Sequence, residues 1–213
     1  MKISLIYLDF PFWRAEVSRL ALFIGNIDFK DLRISLDEFK RVKEKGELDD
    51  GTIIPFHQLP CLTVDGISIA QSGGIARFCG KLTNLYPKDN NIIAARIDQF
   101  IDIITDITVM IISTNIENRN ETFLRDIYRK LSILNKSLDN ISSYAVDNNL
   151  SIADICIWSF ICWLTGGKIE GVPKNIINKY KNIYKVCIEV DKHPKVNEWI
   201  EKTFPKNYAR NFS

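Results

Sequence analysis

The chain has 213 residues, of which 46% are hydrophobic, enough for one large or two small domains with a real core. Its 28 basic and 26 acidic residues leave a formal net charge of +2 that is spread along the chain, which disfavours a nucleic-acid-binding surface. The most apolar stretch, residues 152–164, is too short to span a bilayer and carries Asp154, so we expect no membrane association.

The first part of the chain alternates strand and helix patterns. Residues 2–8 alternate apolar and polar side chains, which indicates a half-buried strand rather than a signal peptide. Residues 14–25 place apolar side chains at helical spacings, and residues 28–34 read as a second strand before a short charged helix over 36–45. Strand, helix and strand in this order predict two parallel strands with a right-handed crossover.

A hairpin and a helix complete this part of the chain. Two short apolar runs, residues 61–64 and 67–70, flank the pair Asp65-Gly66, which favours a two-residue type I′ turn. A helix is predicted to follow over residues 71–81. Together the elements predict a small mixed sheet of four strands.

The character of the sequence then changes to helical periodicity alone. Residues 92–117 and 121–141 are amphipathic, and Ser151 with Asp154 resembles the capping box that begins a helix. The apolar residues after Ser151 run all round that helix, so we expect it to be buried. We therefore predict an N-terminal domain, a polar linker and an all-helical domain, with bounds 1–82, 83–91 and 92–213.

Common catalytic signatures are absent from the sequence. The glycine-rich stretch 166–171 lacks the Lys-Ser/Thr of a phosphate-binding loop, and His57 and His193 have no neighbours at metal-ligand spacing, so no metal is expected. Five cysteines, an odd number with no Cys-x-x-Cys pair, indicate reduced thiols and a cytoplasmic location.

Residues 57–72, "HQLPCLTVDGISIAQS", carry the strongest functional pattern. Pro60 cannot donate to a strand ladder, so the chain turns there. If the Leu59-Pro60 bond is cis, the N–H and C=O of Leu59 point out of the sheet and can pair with a peptide-like ligand. Gln71 and Ser72 begin a helix, where backbone N–H groups and a hydroxyl form a site for a carboxylate. The stretch predicts a site for a small peptide with a free carboxylate.

The same residues resemble a known family. "QLPCLTVDGISIAQSGGIARF" (58–78) is similar to the glutathione-binding segment of glutathione transferases, "LIYLDFPFWRAEVSRLAL" (5–22) to their first strand and helix, and "SIADICIW" (151–158) to a buried motif of their second domain. The sigma class is the most similar. The resemblance implies an α/β plus all-α fold, in which a thioredoxin-like βαβ-ββα domain precedes an all-helical domain. It also implies a cytoplasmic homodimer that joins glutathione, its co-substrate, to hydrophobic electrophiles.

The resemblance places Tyr7 at the catalytic position. A free thiol has a pKa of about 8.5, and a phenol hydroxyl that donates to the sulfur stabilises the thiolate. Arg14 is expected to act either on Tyr7 or on the carboxylate of glutathione.

Other positions of the resemblance imply contacts with glutathione. Gln71 and Ser72 would hold its γ-glutamyl end, Leu59 beside Pro60 would pair with its main chain, and Gln58 would reach its glycyl end.

The glycyl carboxylate and the dimer leave alternatives open. Phe39 stands where relatives carry a tryptophan, and Lys43, with Lys45 as its rival, would meet the glycyl carboxylate beside a long loop over 46–54. An acidic residue from the partner subunit would meet the γ-glutamyl amine, with Asp106 the better match and Asp102 the alternative.

The acceptor pocket is expected between Tyr7, the loop 9–13 and the helix over 101–114. Phe10, Phe12 and Trp13 would make it apolar. The remaining large or reactive side chains, including Trp158, Trp163 and Cys61, are expected in the core.

Two other functions fit the same sequence. The first is a glutathione-dependent isomerase similar to prostaglandin D synthase. The second is a glutathione-binding or structural protein without turnover.

Overall fold

The computed structural model describes residues 1–10, 13–138 and 142–204. In these ranges the chain forms four strands and eight α-helices, with 3₁₀ turns at Pro55–His57 and Ile116–Asn118. The strands are β1 (Ile3–Leu8), β2 (Lys30–Ile34), β3 (Cys61–Val64) and β4 (Ile67–Ala70). The helices are α1 (Glu16–Ile24), α2 (Leu36–Lys45), α3 (Ser72–Leu82), α4 (Asn91–Ser113), α5 (Glu121–Ser137), α6 (Ile152–Thr165), α7 (Lys181–Asp191) and α8 (Pro194–Thr203).

The sheet has the predicted topology. Its strand order is β2-β1-β3-β4, with β1 parallel to β2 and antiparallel to β3, and with β3 antiparallel to β4. Asp65 and Gly66 have φ angles of 49° and 86°, the positive values that a type I′ hairpin turn requires. The mixed four-stranded sheet followed by helices confirms the predicted thioredoxin-like and all-helical fold class.

Side-chain hydrogen bonds explain where α2 begins and where α4 ends. The Ser35 N–H donates to Glu38 at 2.8 Å and the Glu38 N–H donates to the Ser35 hydroxyl at 3.2 Å, so a capping box starts α2. The predicted helix 92–117 was too long, because α4 ends at Ser113 and extended backbone follows. The guanidinium of Arg119 donates to the carbonyls of Ile111 and Thr114, both at 3.2 Å, and so stabilises this end.

Other predicted bounds also shift. α1 begins at Glu16 rather than at residue 14, because a turn in which the Glu16 N–H donates to the Trp13 carbonyl precedes it. α5 ends at Ser137, and residues 139–141 of the predicted helix lie outside the described ranges.

Helix α6 is the centre of the helical part. Almost all of its side chains are buried, as the sequence predicts, and it packs against α1, α4 and α7. The Asp154 carboxylate accepts from the N–H and the hydroxyl of Ser151, at 2.8 and 2.7 Å, and from the Ala145 N–H at 2.6 Å. The Ile152 N–H donates to the Leu85 carbonyl at 2.8 Å, which ties the segment after α3 to α6. Among the described helices, none is long and apolar enough to cross a membrane.

Candidate functional site

One edge of the sheet brings together the segments that the sequence analysis singled out. Cys61 of β3 lies opposite Ile6 of β1 and Ala70 of β4. Neighbouring strands lie about 4.8 Å apart. One position further towards this edge, each of the three paired residues has a chain neighbour, and these three neighbours lie side by side. Those residues are Tyr7, Pro60 and Gln71.

Tyr7 is enclosed at the end of β1. Its side chain is 3% exposed, the Trp13 ring meets its ring edge-on at 6.3 Å, and the Arg14 backbone bonds its hydroxyl. Burial raises the pKa of Tyr7, and the positive charges of Arg14 and Arg19 oppose that increase. The hydroxyl therefore keeps its proton at neutral pH and can donate a hydrogen bond.

The turn before β3 offers main-chain groups to a ligand. The Leu59-Pro60 bond is cis, the Pro60 side chain is buried and Gln58 is exposed. In the described part of the chain, the N–H and C=O of Leu59 make no backbone hydrogen bond. They remain able to pair with an extended ligand.

Gln71, the residue before α3, has a backbone conformation that favours glycine. Its φ and ψ are 68° and 120°, and such strain persists mainly at functional sites. Ser72 is the first residue of the helix, where backbone N–H groups have no partner within the helix. Ser72 and Gly73 both line the pocket described below.

The end of α2 gathers the side chains expected near the glycyl carboxylate. The ammonium nitrogen of Lys43 lies 4.8 Å from the centre of the Phe39 ring. The Lys43 carbonyl and Nδ1 of His57 are 3.0 Å apart, which brings the segment before Gln58 next to α2. The long loop folds on itself through an antiparallel bridge between Glu47 and Ile53.

The two candidate acidic residues of α4 differ in their partners. Asp102 accepts a hydrogen bond from Nη2 of Arg77 at 2.8 Å, and Nε of Arg77 donates to Asp98 at 2.7 Å. Asp106 is exposed, and the described residues offer it no ion pair. Asp102 is therefore engaged within its own chain, whereas the carboxylate of Asp106 faces outward.

A mainly apolar pocket opens between four helices and the turn before α1. Its lining residues are Trp13, Arg14, Val17, Ser72, Gly73, Ala76, Ile101, Ile104, Thr105, Thr108, Cys156, Ser159, Phe160 and Trp163.

The pocket differs from the expected one on two sides. Trp163 was expected in the core, but it lines the pocket and stacks on Trp13, with ring centres 5.9 Å apart and an interplanar angle of 8°. Tyr7, whose ring contacts Trp13, is not among the lining residues, and neither is Phe10. Phe12 lies outside the described residues. A helical spacing of apolar and small residues at 156, 159, 160 and 163 was the signal for the additional wall.

Other core predictions are confirmed. Trp158 is completely buried, and its indole N–H donates to Asp191 at 3.1 Å. Cys61 is also buried in β3, and burial raises the pKa of its thiol, so it is not a nucleophile at neutral pH.

A group of charges near Tyr7 was not predicted from the sequence. Arg19 is completely buried, and its guanidinium carbon lies 5.9 Å from the centre of the Tyr7 ring. It forms ion pairs with Glu16 at 3.2 Å and with Asp31 at 3.0 Å. Two opposite charges three positions apart on the buried face of an otherwise apolar helix were the available signal.

Comparisons with known proteins identify relatives of this chain. Residues 101–203 match the model of the glutathione S-transferase C-terminal domain. The chain is 30% identical to a glutathione S-transferase of Plasmodium falciparum, over 74% of this chain and 77% of that protein. It is 25% identical to glutathione S-transferase 2 of Caenorhabditis elegans, over 88% and 92% of the two chains.

A solved structure shows the same relationship. The structure of prostaglandin synthase D of Nilaparvata lugens superposes with a TM-score of 0.75 at 26% identity, over 95% of this chain and 99% of that chain. The chain therefore belongs to the glutathione S-transferase family.

Proposed function

We propose that the protein is a glutathione transferase that activates the thiol of glutathione with Tyr7 and joins the sulfur to apolar electrophiles. The observation that carries this proposal is the common sheet edge. There, a buried phenol follows β1, free main-chain groups precede β3, and a helix N-terminus with a hydroxyl follows β4.

Tyr7 acts as a hydrogen-bond donor to sulfur. The Tyr7 hydroxyl stabilises the thiolate of glutathione, which then attacks the electrophilic atom of the acceptor while a leaving group departs or a proton is taken up. Arg14 lines the pocket beside this point, so its positive charge favours both the thiolate and the tyrosine acting as donor.

Two segments bind glutathione along its length. The N-terminus of α3 and the Ser72 hydroxyl receive the γ-glutamyl carboxylate, with the side chain of Gln71 beside it. Leu59, positioned by Pro60, pairs with the cysteinyl main chain as an added strand would. Gln58 extends from the same turn towards the glycyl end.

The glycyl carboxylate is held near α2. We assign Lys43 rather than Lys45 to it, because Lys43 stands over the Phe39 ring at 4.8 Å. The phenyl ring of Phe39 supplies no N–H donor. Glutathione affinity therefore depends more on Lys43 than it would with an indole at position 39.

We further propose a sigma-like homodimer in the cytoplasm with shared sites. The carboxylate of Asp106 reaches the γ-glutamyl amine of the glutathione bound to the partner subunit. Asp106 is exposed on α4, whereas Asp102 is already paired with Arg77. The proposed domain bounds remain 1–82 and 92–213, with residues 83–91 between them. The reaction as proposed uses no metal.

A glutathione-dependent isomerase is the second candidate. The similarity to prostaglandin synthase D of Nilaparvata lugens favours it, and the mainly apolar lining of the pocket suits an apolar endoperoxide as well as an apolar electrophile.

Retention on immobilised glutathione, followed by assays with an aryl halide and with an endoperoxide, tests these functions. Retention with aryl conjugation supports the transferase, and endoperoxide turnover without conjugation supports the isomerase. Retention without turnover indicates a binding protein, and failure to bind glutathione contradicts all three.

A further inference from the structure

The charges beneath Tyr7 form a continuous network. Nε of Arg19 donates to one oxygen of Asp31 at 3.0 Å, and Nη1 donates to Glu16 at 3.2 Å and to the Phe10 carbonyl at 3.4 Å. The side chain of Arg19 is completely buried, and its guanidinium carbon lies 5.9 Å from the centre of the Tyr7 ring. A full positive charge is thus fixed beside the phenol.

Both ends of the network are held by other elements. The indole N–H of Trp199 in α8 donates to the second oxygen of Glu16 at 2.5 Å. The second oxygen of Asp31 accepts from Nε of Arg33 at 2.8 Å, and Nη1 of Arg33 donates to Asp9 at 2.6 Å. The position of Arg19 is therefore set by α1, β2 and α8 together.

The location of the network indicates a role beyond stability. Buried ion pairs lose so much hydration that well-packed apolar residues often stabilise a fold equally well. Charges retained beside a catalytic group commonly adjust its proton affinity. Burial raises the pKa of Tyr7, and the charges of two cations, Arg14 and Arg19, oppose that increase. Glu16 and Asp31 neutralise part of the charge of Arg19.

We propose that Arg19 is a positioning residue whose charge, moderated by Glu16 and Asp31, makes Tyr7 a stronger hydrogen-bond donor to the sulfur of glutathione. This inference rests on the proposed function of Tyr7. A cation beside a phenol favours displacement of the hydroxyl proton towards an acceptor, so the bound thiolate gains stability. Removing a neutralising carboxylate strengthens this effect, and removing the cation weakens it.

The test uses two neutral substitutions with opposite expected signs. The thiol pKa of bound glutathione is measured by ultraviolet titration in the wild type, Arg19→Gln and Asp31→Asn. Arg19→Gln should raise that pKa by about half a unit to one unit, and Asp31→Asn should lower it by a similar amount. The rate of conjugation by Arg19→Gln, measured at a pH below the pKa of the bound glutathione thiol, should fall about three- to tenfold relative to the wild type. Lys192→Gln, which removes an exposed ion pair with Glu189, is the control and should leave the pKa unchanged.

The outcomes separate this inference from the proposed function. Purely structural damage would move both variants in the same direction, whereas a charge effect moves them apart. If Arg19→Gln does not fold, Asp31→Asn, at a partly exposed carboxylate, still tests the predicted decrease. This inference alone is overturned if the thiol pKa is lowered in the wild type but Arg19→Gln and Asp31→Asn do not shift it in opposite directions. An unshifted thiol in the wild type would overturn the proposed function as well.

Discussion

The indole N–H of Trp199 in α8 donates a 2.5 Å hydrogen bond to the carboxylate of Glu16 in α1. Both side chains are buried, so the bond joins the last described helix to the first. Trp199→Phe keeps an aromatic ring but removes the donor from a buried carboxylate. The free energy of unfolding, measured by urea denaturation, should fall by about 1.5–3 kcal/mol.

Trp13→Phe is the matched control for that substitution. The Trp13 indole nitrogen is buried without a hydrogen-bond partner in the described part of the chain, so this change removes no bond there. It should cost less stability than Trp199→Phe, and an equal loss in both variants would contradict the importance of the bond to Glu16.

Strain at Gln71 provides a second prediction. Gln71→Gly should raise the free energy of unfolding by up to about 1 kcal/mol, because glycine adopts a φ of 68° without a steric penalty. The same change should weaken glutathione binding, measured by calorimetry, because the side chain is lost. Gln58→Gly is the control: Gln58 has a φ of −131°, so glycine there should destabilise the fold. A loss of stability in Gln71→Gly as large as in Gln58→Gly would contradict the assignment of strain.

The capping box of α2 predicts a pH dependence. Hydrogen bonds from Ser35 hold the pKa of Glu38 below its usual value, so Glu38 favours folding when ionised. This contribution is present at neutral pH and is lost as the pH falls through the folded-state pKa of Glu38. Glu38→Ala should therefore be less stable than the wild type at pH 7, and the difference should shrink towards pH 4.

Glu44→Ala, in the last turn of α2, is the control for this effect. Thermal unfolding at several pH values compares the two variants with the wild type. A stability difference for Glu38→Ala that stays constant between pH 7 and pH 4 would contradict the prediction.

Acidic residues of α4 test the shared site. Asp106→Ala should weaken glutathione binding about three- to tenfold without dissociating the dimer, because one charge across the interface is removed. Asp102→Ala breaks the ion pair with Arg77, so it should lower the free energy of unfolding. It should weaken glutathione binding less than Asp106→Ala does. A monomeric wild type in light scattering, or a larger loss of affinity in Asp102→Ala, would rule out this arrangement.

Local sequence signals predicted most of the fold. The Asp65-Gly66 turn and the Ser151–Asp154 pair are short-range patterns, and the structure confirms both of them. Alternation in β1 predicted the strand correctly, but the prediction that it is half-buried was wrong. β1 is an inner strand of the sheet, and five of its six residues are buried. The end of α4 was placed too late because it depends on Arg119, a side chain from the next segment that bonds the last carbonyls.

The site was less predictable where distant segments meet. The resemblance pointed to the edge that contains Tyr7, Leu59 and Ser72, but it did not indicate that the Trp13 ring would contact Tyr7 and stack on Trp163. The stack of Trp13 on Trp163 joins residues 150 positions apart in the chain, and the bond of Trp199 to Glu16 joins residues 183 positions apart. Such contacts depend on tertiary packing, which no local pattern encodes.

Stabilisation of the glutathione thiolate by Tyr7 is the step on which the proposed reaction depends. The most direct measurement is the ultraviolet difference spectrum of bound glutathione across pH, in the wild type and in Tyr7→Phe. A thiolate band well below the free thiol pKa of about 8.5 in the wild type only is the predicted result, with a loss of about 10²–10⁴-fold in conjugation. Bound glutathione with no such band in either protein, or with the same band in both, would contradict this role of Tyr7.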